Sequence, residues 1–80
     1  MERIKVEGRK VKVEVNPAFY SHYCVQKTKE RFKKICQVSV IKKDDMLIVT
    51  LKPNSKVNLE ILGYEFYNHL LSTAKEIRSG

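Results

Sequence analysis

The hydrophobic period of this chain changes from two to about 3.6 residues, and then makes the same change a second time. Ile4 and Val6, then Val11, Val13 and Val15, alternate with Arg3, Lys5, Lys10, Lys12 and Glu14. A period of two predicts two half-buried strands joined at Glu7-Gly8, where glycine permits a tight turn. Asn16-Pro17 then changes the pattern, because Asn caps helices and Pro suits the first helical position. A helix over 17–35, at about 100° per residue, sets Tyr20, Cys24, Thr28, Phe32 and Ile35 on one stripe. Cys36 to Ile41 alternates again, Lys42-Lys43-Asp44-Asp45 reads as a turn, and Met46 to Leu51 is β-rich. Lys52-Pro53-Asn54-Ser55 reads as a loop, since proline cannot continue a central strand. From about Val57 the helical period returns through Leu59, Leu62, Phe66, Leu70, Ala74 and Ile77, widened by Tyr67 and Leu71. Gly63 weakens the early turns, so this helix is expected to start as late as residue 63.

The order is therefore ββαββα in a single domain spanning 1–80, an α+β fold. The economical architecture has two layers: a four-stranded, mainly antiparallel sheet with two helices on one face. With 80 residues, the chain buries only about 60–65% of its unfolded surface, so its core is thin. No apolar run approaches the roughly 18 residues that span a bilayer. Met1-Glu-Arg-Ile-Lys-Val lacks the apolar core of a secretory signal, so the expected location is the cytoplasm, with no membrane partner. Cys24 and Cys36 form no CxxC and have no paired histidines at ligand spacing, so both are expected to act as small buried hydrophobes.

No catalytic constellation stands out, and a non-enzymatic protein without cofactor or metal is expected. His22 and His69, the two histidines, fall on polar helix faces, and no Ser or Cys sits in a nucleophile-elbow context. Asp44-Asp45 reads as turn chemistry rather than a cation site. There is no GxxxxGK[ST] or GxGxxG phosphate motif.

The net charge of +7 is uneven: residues 1–35 carry ten Lys/Arg against four acids, 36–56 four against two, and 57–80 two against three. A basic first two-thirds can attract a polyanion or an acidic protein, or can simply solvate the surface. The candidate phosphate contacts for a nucleic-acid-binding alternative are Lys27, Lys33, Lys34, Lys42 and Lys43, with Lys10 and Lys12 on a strand. Against that alternative, all seven aromatics lie in or beside helices, whereas an RRM stacks bases on strand aromatics, and no KH-type GXXG loop is present. Phe19 and Tyr23 fall off the core stripe of the first helix. The apolar arc of the last helix extends through Tyr67 and Leu71 to Tyr64. Packing of helix on helix is one account of this excess; a protein partner or a homo-oligomer is the other.

Two runs resemble a known family. Asn16-Pro-Ala-Phe-Tyr20-Ser21 followed by Val25, Thr28 and Phe32 is similar to the Tyr-Ser-x-x-x-Ile-x-x-Ala-x-x-x-Phe run of the D-type proteins of the His-Xaa-Ser system. Glu65-Phe66-Tyr67-Asn68-His69-Leu70-Leu71 resembles that family's Glu-Phe-x-Asn-x-Leu-Leu signature. The resemblance spans residues 14–72, but Ser72 stands where the family has Asp, and the last helix is shorter. It implies a small accessory protein encoded beside radical S-adenosylmethionine enzymes that act on a His-Xaa-Ser repeat polypeptide. The implied role is binding, delivery or scaffolding, and no catalytic residue carries over. The expected partner-binding residues are Tyr64, Glu65, Tyr67, Asn68, Leu71 and Tyr23.

Overall fold

Alternation decides the sheet. The computed structural model describes residues 4–79, with side chains to Ile77, so the strand position assigned to Arg3 lies outside the described residues. Four strands form one antiparallel sheet: β1 (Ile4–Glu7), β2 (Lys10–Val15), β3 (Cys36–Lys43) and β4 (Met46–Pro53). Lys42 and Lys43 thus belong to β3 and not to the turn, and Lys52 and Pro53 end β4 where it pairs with β3 alone, so the expected loop starts only at Asn54. Their order is β1-β2-β4-β3, so the second strand of each hairpin lies at the centre. The central pair is in register at Val13↔Val49, flanked by Val11↔Leu51 and Val15↔Leu47. These six side chains are at most 5% exposed, and the intervening Lys12, Glu14, Ile48 and Thr50 point to the open face. This is the hydrophobic-in, polar-out grammar of a sheet covered on one side.

Both hairpins turn on two residues whose first member has positive φ, Gly8 at 58° and Asp44 at 57°. Glycine adopts that region freely, whereas Asp pays a steric cost there. A Cβ at Gly8 would meet nothing within 4 Å, so Gly8→Ala is expected to cost only the backbone term, about 1 kcal/mol. Asp44→Gly relieves the same strain and is expected to stabilise by about 0.5 kcal/mol. Thermal melts of the two variants should shift in opposite directions; a shared sign would refute the strain argument.

Helix α1 (His22–Phe32) starts later than Asn16-Pro17 suggests. The Asn16 side chain accepts from the Ala18 N–H at 2.9 Å, and its carbonyl accepts from the Phe19 and Tyr20 N–H groups at 3.0 and 3.1 Å. Those bonds close a turn, not a helix. Ser21 is the true cap, its hydroxyl accepting from the Cys24 N–H at 3.1 Å. The helix also ends early, at Phe32, so Ile35 leaves the stripe and is 54% exposed in the turn before β3.

Helix α2 (Leu59–Ser79) begins four residues before Gly63, not at it. The Asn58 side chain accepts from the Ile61 N–H at 3.0 Å, a cap the sequence reading missed. Gly63 is buried inside the helix where α2 crosses β1 and β2, facing Ile4 and Val11. α2 packs over β1 and β2, α1 over β3, and the helices pack on each other. Each helix thus covers strands of the other ββα half, which commits both halves to one core. Phe66 sits at its centre, fully buried, its ring 5.1 Å from that of Phe32.

Candidate protein-interaction surface

α2 is long enough to have two faces with different fates. Its inner face, Leu62, Phe66 and Leu70, is buried against the sheet. The α1 seam adds Thr73, which meets the Thr28 hydroxyl at 3.3 Å, while the Cys24 thiol approaches the Leu70 carbonyl at 3.6 Å. At the end of that seam, Arg31 and Glu76 pair at 3.1 Å. Both side chains are largely solvated, so the pair adds little stability. Burial pushes both cysteine thiols up from their ordinary pKa, offset in part at Cys24 by a hydrogen bond with Thr28. Both are free and buried, and so poorly reactive.

The outer face is different. Ile61, Tyr64 and Leu71 are 55%, 45% and 41% exposed, and Asn68 and Glu65 are also exposed. One turn of helix separates Ile61 from Tyr64, and Asn68 from Leu71, so these four form a single line along α2. Glu65 flanks that line. Phe19, 67% exposed, extends it sideways. Together with Tyr20, Leu71, Ala74 and Lys75 it walls a shallow groove of about 240 Å³. The pre-helical turn that displaced the α1 start is what holds Phe19 there.

Of the residues expected to bind a partner, the structure thus brings Tyr64, Glu65, Asn68 and Leu71 together. Tyr67 is set apart from them: half-buried, it meets Tyr20 edge-on at 5.8 Å and 71°, which makes it part of the helix seam. Tyr23 is 60% exposed on α1, with the Lys27 ammonium 5.9 Å above its ring and Gln26 and Glu30 beside it. It does not line the groove at Leu71. Ile61 was missed by the sequence reading, although its spacing from Tyr64 and Asn68 carried the signal. His69, expected on a polar face, is exposed but lays its ring edge-on to Phe32 at 5.1 Å.

No family model, curated protein or solved structure matches this chain.

The basic residues do not converge in the same way. Lys33 and Lys34 precede β3, whereas Lys42 and Lys43 end it, roughly 25 Å away for a strand of this length. Lys33 pairs with Glu30 at 3.3 Å. On the open sheet face Lys5 lies directly opposite Lys12, and Lys12 pairs with Glu7 at 3.2 Å. The strand sequences contain no aromatic residue, so that face offers no platform for stacking bases. Among the described residues no group of three His, Cys, Asp or Glu side chains could hold a metal ion. Nor is any described helix long and apolar enough to cross a membrane.

Proposed function

We propose that this protein is a non-enzymatic interaction module, an accessory factor in the maturation of a peptide by radical enzymes, which works by presenting the outer face of α2 to another protein surface. The observation that carries the interaction reading is the line of Ile61, Tyr64 and Leu71 left exposed on a helix whose opposite face already fills the core. Large apolar side chains gathered on one exposed line mark contact surfaces more often than solvated ones do. The accessory role comes from the resemblance of residues 14–72 to the D-type proteins of the His-Xaa-Ser system.

The experiment is affinity capture with the intact chain and with a Tyr64→Ala/Leu71→Asp variant, probed with a radical S-adenosylmethionine enzyme and a His-Xaa-Ser repeat polypeptide. Native protein should retain a protein component that the variant recovers at least about tenfold less well, equivalent to ~1.4 kcal/mol. Both substituted positions are solvent-accessible, so the variant should melt close to the native protein. Recovery of nucleic acid alone, with neither a protein partner nor self-association, would sink the proposal. Binding of that kind should weaken steeply with salt.

A further inference from the structure

The exposed line on α2 has the spacing of a two-helix seam. Ile61, Tyr64, Asn68, Leu71 and Lys75 follow one another at intervals of three, four, three and four residues. Those are the a and d positions of a heptad, the positions that interlock when two helices pair. We infer that α2 pairs with α2 of a second copy, antiparallel, in the register that sets Ile61 against the second copy's Leu71, and Tyr64 against its Asn68. This rests on the interaction reading above and names the occupant of that surface.

Self-complementarity selects the occupant. A twofold axis repeats each contact, so the seam becomes four layers: Ile61 on Leu71, Tyr64 on Asn68, and the same two in reverse. The apolar layers close both ends, while in the middle a phenol hydroxyl faces an amide that can both donate and accept. Sliding by one heptad sets Asn68 against Leu71 and Tyr64 against Lys75, and takes Ile61 away from Leu71, so the apolar layers are lost. A parallel pair stacks Lys75 on Lys75 and brings Glu60 of one helix to Glu65 of the other, in the flanking positions where like charges repel. The antiparallel pair instead lays Lys75 beside the first turn of the other helix, which carries Glu60, and sets the two helix dipoles in favourable opposition. Beside Leu71, the groove walled by Phe19, Ala74 and Lys75 lies where the second copy's Ile61 arrives.

Net charge points the same way. Residues 57–80 carry two basic and three acidic side chains, so the remaining +8 of the +7 total lies in residues 1–56. Two α2 helices therefore meet without net-charge repulsion between them, whereas an acidic partner would seek the basic residues of 1–56 and not this stripe. One group opposes the pairing: Glu65 flanks the axis and approaches Glu65 of the second copy. Neutralising it should therefore tighten the dimer.

Sedimentation of the purified full chain over a concentration series should show a monomer–dimer equilibrium. Leu71→Asp should weaken it at least tenfold, and Glu65→Gln should strengthen it. Orientation is read by mixing Ile61→Cys with Leu71→Cys protein under mild oxidation, the native cysteines being buried. The mixed disulfide is expected, with little product from either variant alone. A chain monomeric at every concentration, or cysteines that link only like to like, would overturn the inference. If the chain is monomeric yet captures a protein partner that Leu71→Asp releases, self-pairing fails and the interaction reading stands.

Discussion

Replacing Phe66 by alanine is expected to destabilise the protein by about 3–5 kcal/mol, the range for deleting a fully buried phenylalanine ring. Phe66 is 0% exposed and sits under the crossing of the two helices, its ring tilted 62° to that of Phe32. Truncation removes the burial of the ring and the edge-to-face contact, and leaves a cavity that both helices would have to close. They are poorly placed to do so. α2 is held to β1 and β2 by the close approach at Gly63, while α1 is tied to α2 by the Thr28–Thr73 contact. Small domains have only about 5–15 kcal/mol in total, so the loss would be a large fraction of the whole. Urea titration checks it: the midpoint should fall sharply with the slope unchanged. A loss below about 1 kcal/mol would mean that the core collapses around the gap, and that the helices are less constrained than this geometry implies.

The second large effect carries a sign that helix propensity predicts wrongly. Alanine in place of glycine inside a helix normally stabilises by about 1 kcal/mol. At Gly63 the added Cβ would lie 2.6 Å from Ile4 Cγ2 and 3.0 Å from Val11 Cγ2. Val11 is completely buried in a central strand and cannot retreat. Overpacking of this kind costs about 1–3 kcal/mol, so Gly63→Ala is expected to be destabilising overall. Adding Ile4→Ala removes the closest methyl group, and the double variant should be more stable than the sum of the two single losses predicts. Thermal or urea melts of the four proteins in that cycle decide the matter. A Gly63→Ala protein more stable than the native one would show that β1 moves away at little cost.

Gly63 also shows where a reading by residue type reaches its limit. In sequence it looked like a weak helix start, because intrinsic propensity is a property of the residue and its immediate neighbours. Its actual role depends on Ile4 and Val11, more than fifty residues away along the chain. Asn16 and Ser21 are a second case. Both can cap a helix, and Asn16-Pro17 is the stronger local signal. The choice of Ser21 places Tyr20 against Tyr67 and leaves the preceding turn to carry Phe19. Ile35 left the core stripe for the converse reason, since the chain must leave α1 in time for Cys36 to enter the sheet.

Four strands and two helices in the order ββαββα were determined by the sequence alone, because periodicity states which side chains share a face and that face must be covered. The inward valines of β2 and the buried phenylalanines of both helices were legible for the same reason. Strand order, the interleaving of each helix over the other half, and the division of α2 into a core face and a free face were decided only by tertiary structure. Tyr67 and Tyr64 are both apolar-arc tyrosines three residues apart, yet one is half-covered by Tyr20 and the other is 45% exposed. Periodicity gives the direction in which a side chain points, but whether another element lies in that direction depends on contacts between residues far apart in the chain.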